Sequence, residues 1–476
     1  MKGIRVIVIG GGFSGVAAAV SLRDRGASVT LLDDRPTLGG RARSDDLEGF
    51  TIDTGAQLIA SSFSRTVGIL SARSRPHSRS ARAGDASGET AARALHRVPG
   101  RDAYMHGGER FPLQFGSVRS LLSFGGLSAL EKLKLATHTL PALTANHAAL
   151  DAAAANIPAS LDAGTARTYM AAHVGTRAAD VLVEPPLNGF FGVRGDEVSL
   201  AFYLMLGRYA SEGDMLAPTA GWSSAIDAAL TGVDCHRRTK VGELSMPTER
   251  EVVAVAGDGR RWTADAAVIA TGPRTAAALL APLLAGDHPL LRWLSSVALR
   301  PTWTLALALD TAPRRDAFGI FHDAPHARRV SACAVQGAKM LRPPDGRDVV
   351  LAWPTPAAIA ELQGKSSSAT VEAMLPEIET LVPEVRGHVI HARVYRFEEG
   401  TPVAHPAFAA ERTLGRKLAA QLPPILALAG DYLTTPLLEG AVASGDSAAT
   451  LLENRLRARS GSGGPPSGSA PRKPPL

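Results

Sequence analysis

Ile4-Arg5-Val6-Ile7-Val8-Ile9-Gly10-Gly11-Gly12-Phe13-Ser14-Gly15 is the stretch whose reading decides the fold. The β-branched run predicts a parallel strand buried on both faces. The glycines then fall in the spacing Gly10-x-Gly12-x-x-Gly15. Gly10 permits a tight turn, Gly12 lets the backbone approach a pyrophosphate, and Gly15 lets the following helix pack against the strand. Phe13 and Ser14 complete the phosphate turn, and the helix N-terminus offers free N–H groups and a partial positive charge. Small residues carry that helix from Val16 to Arg25, with Gly26 closing it. A second strand, Ala27–Leu32, ends in Asp33-Asp34. A carboxylate there accepts hydrogen bonds from both ribose hydroxyls of an adenosine and disfavours a 2′-phosphate. Strand, glycine turn, helix, strand and acid together predict a Rossmann-type α/β unit that binds a dinucleotide other than NADP.

The next segment is Arg35-Pro36-Thr37-Leu38-Gly39-Gly40-Arg41-Ala42-Arg43. A glycine pair beside Arg41 sets free backbone N–H groups next to a cation, suited to a second stretch of diphosphate. Far along the chain, Leu428-Ala429-Gly430-Asp431 follows a short apolar run, and Glu439-Gly440-Ala441-Val442 opens a helix of small residues.

The run VTLLDDRPTLGGRARS (29–44) resembles the flavin superfamily of amine oxidases, protoporphyrinogen oxidases and phytoene or squalene-type desaturases. That family usually has Glu where Asp33 stands here, a change that keeps the carboxylate. The resemblance implies a glutathione-reductase-like FAD domain with a second, α+β substrate-binding domain. It implies noncovalent FAD, because no cysteine lies near the C-terminal motif. Gly55, Ala56 and Gln57, after Asp53, fit the family's passage near the flavin, although Asp53 reads equally well as a turn or capping carboxylate. Asp431 would accept from the ribityl chain, and the segment Glu439-Gly440-Ala441 would bring a helix start to the flavin. Val241 resembles the residue whose backbone meets the adenine, and Thr271-Gly272 a strand-to-loop crossing of the FAD domain; plain sheet structure is the competing reading for both.

A flavin carries the hydride chemistry itself, so no acid–base constellation is expected and no catalytic side chain is named. The thirteen histidines show no metal-ligand spacing, and no metal is expected. Many amine oxidases carry an aromatic residue two positions before the Glu-Gly-Ala run; Leu437 stands there instead. An apolar residue suits a bulky hydrophobic substrate such as an isoprenoid or a tetrapyrrole. Phe190 and Tyr395 are candidate walls of that pocket, or ordinary core aromatics. Arg396 reads as a structural arginine, with contact to a substrate carboxylate as the alternative.

At 476 residues, 45% hydrophobic and 20% charged, the chain is long enough for two domains and is not a disordered polymer. The net charge of +6 is concentrated in residues 73–101 and 460–476, which leaves the remainder near neutral and argues against nucleic acid. Residues 73–101 are expected to form a mobile basic loop and 459–476 a disordered tail. The first ten residues do not read as a signal peptide and no stretch reads as membrane-spanning, so a cytoplasmic protein is expected. The Leu-rich, basic-flanked region 118–145 reads as a helical cap on the substrate domain, with peripheral contact to a bilayer as the alternative. The expected FAD domain is discontinuous (1–70, 221–285 and 420–458), and the substrate domain comprises 100–220 and 286–419. The expected activity is FAD-dependent removal of a hydride from a C–H bond of a bulky apolar substrate by a desaturase, dehydrogenase or oxidase, with oxygen or a quinone as acceptor. The alternatives are an amine oxidase and a flavin-free lipid-binding protein of the GDP-dissociation-inhibitor type.

Overall fold

The computed structural model describes residues 1–71, 94–98, 102–106, 109–114, 117–322, 325–339 and 346–461. The opening apolar run forms strand Arg5–Ile9, with Val6 to Ile9 buried. It is central in a five-stranded parallel sheet, in the order Asp234–His236, Ser28–Leu32, Arg5–Ile9, Ala266–Ile269, Leu426–Leu428. Three of these strands come from beyond residue 230, so the sheet closes only when distant segments meet. Helix Phe13–Asp24 is buried continuously from Phe13 to Val20. Its small side chains admit the long helix Leu438–Gly461: a Cβ on Gly445 would lie 2.1 Å from the Ser14 carbonyl oxygen. The three strands Val241–Thr248, Glu251–Ala256 and Arg261–Ala264 form an antiparallel meander.

The second layer is a seven-stranded sheet in the order Val389–Pro402, Leu299–Leu309, Asp348–Pro354, Val330–Val335, Gly319–His322, Asp102–His106, Glu109–Leu113. Its pairs are antiparallel except the parallel pair of Gly319–His322 and Asp102–His106. The period-2 alternation of a strand divides its residues between two cores. Leu305, Leu307 and Leu309 pack with Ile359, Met374 and Ile378 of helices Pro356–Leu362 and Ser367–Leu381. Ala306 and Ala308 face the main core. The protein is thus a Rossmann-type α/β unit joined to an α+β unit.

Two expectations about chain ends of elements are corrected. Leu95–Arg97, placed in the basic loop, is a strand pairing with Met215–Pro218, because Leu95 and Val98 find apolar burial there; residues 72–93 and 99–101 lie outside the described residues. The last helix continues to Gly461, past the expected start of the tail; 462–476 are likewise outside the described residues. Among the described residues, no helix is long and apolar enough to cross a membrane.

The region 118–145 folds as short helices: Val118–Ser123, Ala129–Lys134 with a Ser128–Glu131 capping box, a π turn at Leu135–Thr139, and Leu140–Ala145. Leu135 is buried, and Leu121 and Leu143 are half-buried against the core, but Val118, Leu122, Leu130, Leu133 and Leu140 are 44–64% exposed.

Candidate active site

A cavity of about 1080 Å³ runs between the two units. One end is built by the glycine turns. Gly10 has φ +104°, and a Cβ there would lie 2.6 Å from the Ala270 carbonyl oxygen, so no other residue fits the turn. The Gly39 N–H donates to the Gly11 carbonyl at 2.8 Å, which brings the Gly39-Gly40 turn alongside the first one. Gly10, Gly12, Phe13, Ser14, Gly40 and Arg41 all line the cavity. Gly15 does not reach it. A Cβ on Gly15 would lie 1.8 Å from the Gly10 carbonyl oxygen, so it keeps the helix tight against the turn.

Asp33 and Asp34 line the same end with Val241. The Asp33 carboxylate accepts the Gly11 N–H at 2.6 Å and the Arg35 N–H at 2.8 Å. Burial raises its pKa, and those two backbone donors oppose the rise. Each oxygen keeps acceptor capacity for a hydroxyl donor. The Thr239 N–H donates to the Asp33 carbonyl at 2.7 Å, which ties the Val241 segment to the acid.

Further along, Gly55, Ala56, Gln57, Thr271, Gly272, Gly430, Asp431, Leu437 and Ala441 line the wall. Arg41 Nη2 lies 2.7 Å from Asp431 Oδ2, and Arg41 also donates to the Gly400 carbonyl. Two segments 390 residues apart therefore meet across the channel.

Besides Gly15, three expected site residues stand elsewhere. Glu439 is buried, but its carboxylate accepts the N–H groups of Arg65 (3.0 Å) and Thr66 (2.9 Å) and the Thr66 hydroxyl (2.8 Å), so it caps helix Ser64–Ser71 rather than facing the cavity. Gly440 is absent from the wall because its backbone packs on Thr435, where a Cβ would lie 2.4 Å from the carbonyl oxygen. Tyr395 belongs to the core: its hydroxyl, near Asp45 and Arg393, is pushed up to about 12, chiefly by burial. Phe397, two residues on, takes the wall position instead, under the Arg43 guanidinium at 4.9 Å. Arg396 stacks on Trp303 at 4.7 Å and donates to the Lys365 carbonyl and the Thr370 hydroxyl, a structural arginine as the sequence reading favoured.

The far end of the cavity is apolar. Leu121, Leu135, Leu182, Phe190, Trp353 and Leu437 line it. Phe190 meets Phe321 and Trp353 edge-on, with ring centroids 5.4 and 6.3 Å apart.

Two residues near the site carry no signal in the sequence. Lys339, 4% exposed, donates from Nζ to Asp53 Oδ2 and Gln57 Oε1, both at 2.7 Å. Asp53 also accepts the Ser44 hydroxyl at 2.6 Å, so its role is to hold the 53–57 passage. Asp102, which reads as one polar residue in a turn-rich stretch, lines the cavity on the substrate-sheet side.

The residues present fit FAD. Two side-chain-free turns offer N–H groups, an acid stands at one end with unused acceptor capacity, and an Arg–Asp pair crosses the middle. Neither Cys235 nor Cys333 lines the cavity. Among the described residues no cluster could hold a metal ion.

Fold and cavity together define a protein of the FAD-binding Rossmann class. Residues 13–452 match the family described as flavin containing amine oxidoreductase, and the chain belongs to that family. Its relatives differ in substrate. Polyamine oxidase 2 of Arabidopsis thaliana is 49% identical over 54 residues, and the carotenoid 3,4-desaturase of Haloarcula japonica 46% identical over 55 residues; each match spans 11% of the relative and 11–12% of this chain. A candidate protoporphyrinogen oxidase from Exiguobacterium sp. 255-15 superimposes over 96% of this chain and 100% of its own, with a TM-score of 0.69 at 18% identity.

Proposed function

We propose that this oxidoreductase removes a hydride from a C–H bond of a bulky apolar molecule. The observation that carries this reading is the apolar end of the cavity, where Leu437 stands beside the start of helix Leu438–Gly461 and the wall continues through Leu and aromatic side chains. An amine substrate is the weaker reading, since Leu437 removes the aromatic wall expected of an amine cage at that position.

When bound, FAD supplies the hydride acceptor. Gly10, Gly12, Ser14, Gly40 and Arg41 would hold its diphosphate, Asp33, Asp34 and Val241 its adenosine, and Asp431 its ribityl chain. Gly55, Ala56, Gln57, Thr271, Gly272, Gly430 and Ala441 would shape the wall around the flavin end. Lys339 keeps the 53–57 passage in place, and the Leu-lined walls exclude water. Oxygen or a quinone would reoxidise the enzyme.

The decisive experiment mixes the yellow holoenzyme anaerobically with phytoene, squalene derivatives, porphyrinogens or amines and follows the flavin absorbance. Bleaching by an isoprenoid or a porphyrinogen is the expected result; bleaching by amines alone overturns the reading. A protein that takes up no FAD would revive the lipid-escort alternative.

The same reading extends to a lipid surface. The exposed Val118 and Leu140 also line the cavity, so the apolar patch borders its mouth. Arg119, Lys132 and Lys134 stand among these residues against the single acid Glu131, which suits an anionic bilayer. Burial of Leu122 and Leu133 in the acyl boundary would contribute about 1.5–3 kcal/mol each. The protein should therefore float with vesicles of phosphatidylglycerol and phosphatidylcholine, and Leu122→Glu/Leu133→Glu should lower the bound fraction at least about tenfold. Self-association in vesicle-free solution, without flotation, would assign the face to a second copy of the chain.

A further inference from the structure

Among the described residues six carboxylates line the cavity: Asp33, Asp34, Asp102, Glu212, Glu399 and Asp431. Asp33 is tied to backbone N–H groups, Asp34 to Arg35, Glu212 to Arg208 and Asp431 to Arg41. Glu399 stands against Gly272, on the cofactor side. Asp102 is different. It opens strand Asp102–His106, opposite Leu113 in the seven-stranded sheet, far in the topology from the glycine turns.

One oxygen of Asp102, Oδ1, accepts the Gly319 N–H at 2.9 Å. Among the described residues nothing donates to the other oxygen and no cation pairs with the carboxylate. Val98, Leu113 and Phe318 belong to the same cavity wall. Behind it, Tyr104 stacks on Phe321 with centroids 5.5 Å apart and meets Phe124 edge-on. Burial pushes the carboxyl up to about 7, and the Gly319 N–H opposes the shift. Among the described residues the titratable neighbour is Tyr104, with Tyr203 beyond it; burial raises both phenols, which are neutral at physiological pH. A single backbone N–H does not require a carboxylate; Asp102 is half-buried, and its second oxygen opens on the cavity, where a ligand's donor can replace water.

We propose that Asp102 is a specificity residue that accepts a hydrogen bond from a donor group, a hydroxyl or an ammonium, carried by an otherwise apolar substrate. This rests on the bulky apolar reading of the cavity and narrows it: the molecule has one polar point that meets the substrate sheet while the rest lies against Leu and aromatic side chains. An anionic carboxylate at that point is disfavoured by like charge.

The test uses the FAD-loaded full-length protein and four ligands of one C20 isoprenoid skeleton: the hydrocarbon, the primary alcohol, the primary amine and the carboxylic acid. Dissociation constants come from perturbation of the flavin absorption spectrum under anaerobic conditions. The alcohol and the amine should bind at least about tenfold more tightly than the hydrocarbon and the acid. Asp102→Asn keeps the acceptor for the Gly319 N–H and should erase at least the amine's advantage. In the unsubstituted protein the amine's affinity should rise between pH 6 and pH 8 by up to about tenfold as the carboxyl ionises, and in Asp102→Asn it should not. Equal binding of all four ligands, or an amine preference that survives Asp102→Asn, overturns the role of Asp102 and leaves the apolar reading intact. Failure of all four to bind overturns both.

Discussion

Gly15→Ala should yield a colourless protein with a collapsed melting temperature. A Cβ at position 15 would lie 1.8 Å from the Gly10 carbonyl oxygen, 3.0 Å from its carbon and 3.2 Å from the Ala270 Cβ. No rotamer relieves this contact, because the intruding atom is Cβ itself and the atoms it meets include backbone. Gly10 cannot retreat, since its own backbone is packed on the Ala270 carbonyl. The helix must therefore leave the strand, which parts it from the turn that would hold the diphosphate. Overpacking in a core commonly costs about 1–3 kcal/mol. A backbone clash at the centre of the parallel sheet should reach the upper end or beyond, against a total stability of about 5–15 kcal/mol. The measurement is FAD content per chain together with the melting curve. Gly68→Ala is the control: Gly68 lies in helix Ser64–Ser71 with nothing within 4 Å of its added Cβ, so the change should be neutral or gain up to about 1 kcal/mol. A Gly15→Ala protein that is fully yellow and melts normally would refute the packing role.

Lys339→Met should have the second largest effect, a loss of about 3–5 kcal/mol. The substitution removes the ammonium from a pair whose side chains are 3% and 4% exposed, and leaves Asp53 without a cation in the core. Asp53 also accepts the Trp222 N–H at 3.3 Å, and Gln57 donates to the Asp53 and Gly55 carbonyls, so the loss spreads to the wall that carries Gly55, Ala56 and Gln57. Asp53→Asn in the Lys339→Met background should recover much of the loss. Urea denaturation of the four proteins of this double-mutant cycle measures the coupling. A single-mutant cost under about 1 kcal/mol, comparable to that of an exposed pair such as Arg329–Glu361, would show the pair to be dispensable.

These two positions differ in how they could be read. Gly15 is a local requirement: strand, turn and helix are contiguous, and steric exclusion of a Cβ leaves a mark in the residue type itself. The same holds for Gly10, Gly12 and Gly40, and for Asp33 at the end of its strand. Lys339 lies 286 residues from Asp53 and sits in an ordinary polar turn, so nothing near it marks its partner. Glu439 shows the limit of a motif. Its position beside the cavity wall was legible, but the side chain turns to the N–H groups of Arg65 and Thr66, which only the packing of helix Ser64–Ser71 supplies. Tyr395 and Phe397 were equally aromatic and equally placed in the chain. Both lie on one face of strand Val389–Pro402, in unbroken register opposite Thr304 and Thr302, so position along the strand, which only the packing of the two units fixes, decides that Phe397 reaches the cavity.

The amino-acid order alone determined a Rossmann-type unit with an FAD-shaped pair of motifs at its two ends, because glycine turns, β-branched runs and a strand-end acid obey short-range steric and hydrogen-bonding rules. Tertiary structure alone decided which carboxylates face the cavity, where Lys339 neutralises the core and which leucines border the mouth. Those outcomes depend on contacts between segments hundreds of residues apart, and the free energy of burying a charge or an apolar side chain is defined only once its neighbours are in place.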